Sequence, residues 1–341
     1  MWRIGACLAA CAIAIPAPAK AWDYPGHRIV GMVADMVLQQ HYKNTYQRVR
    51  DTLERRNASG EEEQRTLGQV AVFPDCAKNE EEYCGRKIST EEIDYVLRNL
   101  VHKSFHYTNS PFGQRTYLTT GVGAEETDVV QMIAHVVNQL RKKSSFKQDV
   151  KLTNTEALWL LAHLVGDIHQ PLHVGQAYFD KDCTTLVNPN DPADRDKEAI
   201  GTIGGNAIKF SPPAPAVPLV PSLHIYWDST TVARAMHTDG LVGAEQAFAK
   251  TLAAKPPAGW ETTGDPDKWA EKWYSEMVLL AQEAYTRPGI KIDGKPGGPG
   301  KCQWTLTLDE DYEKWAQDLA REQLRKAGFR LAAILVAIFP N

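Results

Sequence analysis

The stretch Ala162–Gly175, AHLVGDIHQPLHVG, constrains this chain more than any other. It holds His163, Asp167, His169 and His173 within eleven positions. His163 and Asp167 are four residues apart, so on a helix they project from one face. Pro171 ends such a helix, and the chain must turn before His173. An imidazole and a carboxylate on one face, followed by a second imidazole past a proline, is a layout for binding a metal. A helix that only packs gains nothing from so many titratable groups.

The 341 residues, 43% of them hydrophobic, can bury a full core. Charge is nearly balanced, 38 Lys+Arg against 42 Asp+Glu, and no basic run is present. A broad electrostatic footprint for duplex nucleic acid is therefore excluded, and an anionic substrate would have to be neutralised by bound cations. Residues 1–21 read as a cleaved signal peptide. Arg3 supplies the positive region, Ile4 to Ile15 the short apolar run, and Ala19-Lys20-Ala21 the small-x-small cleavage site. Trp22 would then be the mature amino terminus of a secreted or periplasmic protein, with no membrane span elsewhere. Cys76, Cys84, Cys183 and Cys302 remain, an even number suited to an oxidising compartment. Three pairings are open, and Cys76–Cys84 with Cys183–Cys302 is the favoured one.

Apolar residues from Ile29 to Val37 recur at helical spacing, which predicts a helix from about Gly26 with His27 in its first turn. Residues 43–70 read as helical and charged, and 71–88 as a loop around Asp75. Ser89-Thr90-Glu91-Glu92 starts another helix that runs to about Val101. Further helices are predicted over 125–143, 154–168, 242–253, 266–285 and 309–338. Residues 176–222 read as loop, with a short hairpin over 202–210 turning at Gly204-Gly205-Asn206. Residues 287–301 read as Gly/Pro-rich loop. The expectation is one mainly α domain over 22–341 with long loops and no parallel βαβ pattern.

The donors collected this way are the Trp22 amine, His27, Asp75, His106, His163, Asp167, His173, His224 and Asp228. His224 and Asp228, in LHIYWD, repeat the four-residue spacing. All are nitrogen or carboxylate donors, which suit zinc, and at three or four per ion they imply about three ions. His41, His102, His135, His169 and His237 read as structural or supporting, His169 foremost.

These residues resemble the S1/P1 nuclease family of secreted trinuclear-zinc, single-strand nucleases. The matching pieces are Trp22 with Gly26-His27, Asp75, Phe105-His106-Tyr107, HLVGDIHQPLH, Gly204-Gly205-Asn206, LHIYWD and the terminal AGFRLA. The resemblance spans essentially the whole mature chain and implies the helical fold shared with zinc-dependent phospholipase C. It also implies that Asp75, His106, His163 and Asp167 hold one zinc. The Trp22 amine and carbonyl, His27 and Asp167 would hold a second, and His173, His224 and Asp228 a third. Asp75, Lys78 and Asp167 would serve catalysis, with Lys78 standing where the family usually has arginine. Tyr107, Asn109 and Asn206 would contact substrate, and Asn109 stands where the family often has aspartate. Phe73-Pro74 replaces the family's usual Trp-Ala. The implied activity is hydrolysis of single-stranded DNA and RNA to 5′-mononucleotides and removal of phosphate from 3′-nucleotides. No stable protein partner is inferred. The rival readings are a zinc-dependent phospholipase C, which shares a similar HxxGDxxQPxH stretch, and a secreted metal-binding protein without turnover.

Overall fold

The computed structural model describes residues 22–56, 62–63, 65–79, 87–143, 149–194, 197–211 and 222–340. The expected signal peptide and Cys84 lie outside them. The fold is mainly helical, as its periodicity predicts. Helix α1 (Tyr24–His41) is capped by Asp23 with Pro25 in its first turn, and α2 (Lys43–Leu53) follows at once. Among the described residues the predicted helix over 43–70 stops at Leu53 and resumes only as the short α3 (Leu67–Val70). The loop expected over 71–88 is helical at its start, in α4 (Phe73–Asn79), so Asp75 sits in a first helical turn. The sequence signal was weak because Pro74 tolerates a first turn as readily as a loop. Helix α5 (Thr90–Arg98) begins at Ser89 with a complete capping box, as read, and ends three residues before Val101. Helices α6 (Val129–Leu140) and α7 (Asn154–Asp167) follow.

Helix α7 is the centre of the molecule. It starts at a Thr153/Glu156 capping box, and every residue from Glu156 to Asp167 is buried. A helix apolar on all sides must be covered on all sides. It is packed by α1, α2, α3, α4, α6 and the C-terminal helix. The remaining helices are α8 (Thr231–Thr238), α9 (Glu245–Ala253), α10 (Trp269–Thr286) and α11 (Glu310–Ile338). Helix α11 lies against α1, α7, α8 and α9, and its Leu324, Ala327, Leu331 and Leu335 are buried in the main core.

Beyond a two-residue ladder of Arg55–Arg56 with Glu62–Glu63, the described strands are the short β1 (Ser110–Pro111), β2 (Gly175–Gln176), β3 (Tyr178–Phe179), β4 (Ile200–Gly201) and β5 (Ile208–Phe210), then the longer β6 (Ile290–Gly298) and β7 (Lys301–Leu308). The hairpin expected over 202–210 is not formed. β4 pairs with β3 and β5 with β7, so the Gly-Gly turn hands the chain from one sheet to another. A hairpin forms instead at β6–β7, in the stretch read as loop. Pro296 and the glycines Gly294, Gly297 and Gly298 occupy the edge strand β6, where a missing N–H is tolerated. The expected Cys183–Cys302 disulfide ties β7 to the loop after β3 across 119 residues. Among the described residues no helix is long and apolar enough to cross a membrane.

Candidate metal centre

The C-terminal half of α7 and the turn after it deliver three donors to one place. His163 and Asp167 share a face of α7, as their spacing requires, and the 3-10 turn Pro171–His173 swings His173 back toward them. Helix α1 brings His27, α4 brings Asp75, and the segment after α5 brings His106. The chain at 223–230 supplies His224 and Asp228. There a single α turn, Leu223–Ile225, widens into a π-helical turn, Tyr226–Thr230, a distortion common at functional sites.

These eight side chains, drawn from five separate segments, are all buried. They form three groups able to hold a metal ion: His27, Asp75 and His163; His106, His163 and Asp167; and His173, His224 and Asp228. Asp167 Oδ2 lies 3.1 Å from both His106 Nδ1 and His163 Nε2, and its Oδ1 lies 3.4 Å from His27 Nε2. Asp75 Oδ1 is 3.6 Å from His163 Nε2 and 3.7 Å from His106 Nδ1. In the third group His224 Nε2 stands 3.2 Å from Asp228 Oδ2, and His173 Nε2 3.8 Å from Asp228 Oδ1.

Three backbone carbonyls fix which ring nitrogens face these groups. His163 Nδ1 is 2.6 Å from Ala71 O, His173 Nδ1 2.8 Å from His106 O, and His224 Nδ1 2.6 Å from Gly204 O. A carbonyl only accepts, so each of these nitrogens carries the proton and each Nε2 turns a lone pair inward. His163 Nε2 then sits 2.8 Å from His106 Nδ1, too close for two bare lone pairs unless a cation or proton lies between. His27 Nε2, Asp75 Oδ2, Asp167 Oδ1, His173 Nε2 and Asp228 Oδ2 are buried with no hydrogen-bond partner among the described residues. Each such atom costs about 1–3 kcal/mol if nothing meets it. The donor set and its unpaired atoms fit divalent metal ions of the zinc type.

The electrostatics agree. Burial lowers the pKa of His27, His106 and His173, and that of His224 to about 3, so all four favour the neutral form that binds metal. Burial would lower His163 too, but Asp167 and Asp75 outweigh it and hold it above the usual value. Burial would raise Asp75, yet Lys78 and the surrounding histidines keep it below the carboxylate range; the histidines do the same for Asp167. Asp228 is pushed well up by burial, against the pull of Gln170.

Close packing supports the arrangement. Gly166 lets α7 approach α1, and a Cβ there would stand 2.8 Å from His27 Nδ1. His27 stacks on His163 with ring centroids 3.7 Å apart. The buried Trp22 folds back on Gly26, and the Asp23 N–H donates to Asp228 O, so the expected mature terminus runs beside the third group.

A cavity of about 140 Å³ opens on the centre. Lys78, Tyr107, Asn109, Asn206, His173 and His224 all line it. Lys78 Nζ is 2.9 Å from Asp75 Oδ1. Asn206 spends its amide on Ile203 O, so part of it does serve the turn.

Three residues that the sequence reading did not single out belong here. Gln170 donates to Asp228 Oδ1 at 2.5 Å, and Gln176 accepts the Gly204 N–H whose carbonyl holds His224. The HQPLH motif could have pointed to Gln170. Ile203 lines the cavity with 66% of its surface exposed and a left-handed φ of 55°, a strained conformation for a β-branched residue. Nothing in the sequence marks it. His169, expected to support the metal ligands, instead accepts from Arg330 Nη1 at 3.0 Å and clamps the end of α7 to α11.

The family model described as S1/P1 Nuclease matches residues 22–340. The chain is similar to Endonuclease 5 of Arabidopsis thaliana, 28% identical over 218 residues, 62% of this chain and 60% of that protein. It is similar to Endonuclease 3 of the same plant, 27% identical over 241 residues and 69% of each chain. Endonuclease 1 matches at 23% identity over 278 residues, 81% of this chain and 76% of that one. The match thus spans less than two thirds of the length of Endonuclease 5.

Proposed function

Because the chain belongs to the S1/P1 nuclease family, we propose that it is a secreted or periplasmic zinc-dependent nuclease. It hydrolyses single-stranded DNA and RNA to 5′-mononucleotides and removes phosphate from 3′-nucleotides. The observation that carries this reading is the trio of buried His/Asp groups, two of them sharing His163, with His173 and His224 of the third lining a cavity that Lys78 and Tyr107 also line.

Asp75, His106, His163 and Asp167 would hold one zinc; His27, Asp167 and the Trp22 amine and carbonyl a second; His173, His224 and Asp228 a third. Zinc bound there would bring the pKa of water down to about 7 and offset charge on the departing 3′ oxygen. Signal-peptide removal frees the Trp22 amine, which a retained leader would leave as an amide.

The chain's own groups do the rest. Lys78, a point charge rather than a fork, offsets charge on the phosphate under attack. Tyr107 offers a face for a base, with the aliphatic Ile203 also on the cavity wall. A base reaches such a face only when unstacked from its neighbours, which favours single strands. Asn109 both donates and accepts, so it tolerates more than one base edge.

The test compares three reactions of the signal-cleaved, zinc-loaded protein, each with and without EDTA. They are release of 5′-mononucleotides from single-stranded DNA or RNA, of phosphate from 3′-nucleotides, and of phosphocholine from lecithin. EDTA-sensitive action on the first two is expected. Activity on lecithin alone, or on no phosphoester, overturns the proposal. Metal analysis and N-terminal sequencing should give about three zinc ions and a Trp22 start.

A further inference from the structure

A second cavity of about 470 Å³ adjoins the first, and Lys78 lines both. Its walls come from α4, α5 and the short 3-10 turn at His102–Ser104. Its volume lies within the range that holds a small organic ligand. The α5 wall is aliphatic, made by Ile93, Val96 and Leu97. Ile93 and Leu97 are 41% and 66% exposed, which leaves apolar surface open to solvent. Lys103 joins Lys78 on the lining, and no carboxylate lines the cavity among the described residues. His102 is 2% exposed, and its Nδ1 has no hydrogen-bond partner among the described residues. An aliphatic wall beside two lysines matches a nucleobase with its attached phosphate. The shared Lys78 links the cavity to the proposed scissile position.

Resting on the nuclease reading, we infer that this cavity receives the nucleotide across the scissile phosphate from the one held at Tyr107. The base lies against Ile93, Val96 and Leu97, and the phosphate on that nucleotide's far side meets Lys103. The strand is thereby gripped on both sides of Lys78, and two unstacked bases are required instead of one.

A 3′-mononucleotide needs only the first cavity, and an oligonucleotide needs both. Leu97→Asp and Lys103→Glu change two exposed side chains and leave the described core intact. In the double variant KM for a short oligodeoxythymidylate should rise at least tenfold. Turnover and KM for a 3′-mononucleotide should stay within twofold of the parent. A matching tenfold loss should appear in equilibrium binding of a non-hydrolysable phosphorothioate oligothymidylate. Equal changes for both substrates, or no change for the oligonucleotide, overturn the inference while the nuclease reading stands. A protein inert toward every phosphoester removes both.

Discussion

Replacing Asp167 by Asn tests the proposal that one carboxylate serves two ions. Its two oxygens face different partners: Oδ2 is 3.1 Å from His106 Nδ1 and His163 Nε2, and Oδ1 is 3.4 Å from His27 Nε2. Asparagine keeps the shape and one acceptor but loses the charge. Removing a group that merely orients a ligand costs about 10–100-fold in metal affinity. Neutralising a shared anionic ligand should cost at least about 100-fold at each of two positions, about 2.7 kcal/mol apiece. With free zinc buffered about tenfold above the parent's dissociation constants, an affected position falls from about nine-tenths to about one-tenth filled. Zinc per chain should then fall from nearly three to slightly above one. The assay is metal analysis after equilibrium dialysis, with far-ultraviolet circular dichroism to show that the fold is kept. Asp228→Asn, which faces His224 and His173, should lose one ion under the same conditions. If Asp167→Asn also loses a single ion, Asp167 does not bridge.

Gly166→Ala places a methyl 2.8 Å from His27 Nδ1 and should cost about 1–3 kcal/mol of stability. Denaturant melts check it, and an unchanged midpoint would mean that His27 shifts freely. Burial, then Lys78 and Lys103, lowers the His102 pKa from 6.5 to about 4. The unfolded chain therefore binds a proton that the folded one refuses. The stabilisation is complete above about pH 6.5 and is lost as pH falls toward 4, by at most about 3 kcal/mol. His102→Gln should flatten that slope in melts run between pH 4 and 7, and an unaltered slope refutes the assignment. Cys302→Ser opens the bridge to Cys183 and should destabilise by about 2–5 kcal/mol. Calorimetry reads this, and a variant as stable as the parent contradicts it.

The candidate centre was legible wherever its signal is local. HLVGDIHQPLH states its own geometry, because helical spacing fixes one face and proline fixes the turn. The capping boxes at Ser89 and Thr153 are equally local, and the helices they start were readable. Strand pairing was not. Gly204-Gly205-Asn206 turns as its glycines allow, but β5 pairs with β7, nearly a hundred residues later. Pro296 and the glycines around it suggested loop, although an edge strand accommodates them.

The sequence by itself determined the kinds of donor and their spacing within each segment, since i and i+4 share a helical face in any context. Only the tertiary structure decided that five segments meet at the C-terminal end of α7. It also decided which imidazole nitrogens point inward, because the carbonyls of Ala71, His106 and Gly204, each far along the chain from its histidine, hold the other nitrogens. A side chain's reach is local, but the atom that fixes its tautomer belongs to whichever backbone the fold lays beside it.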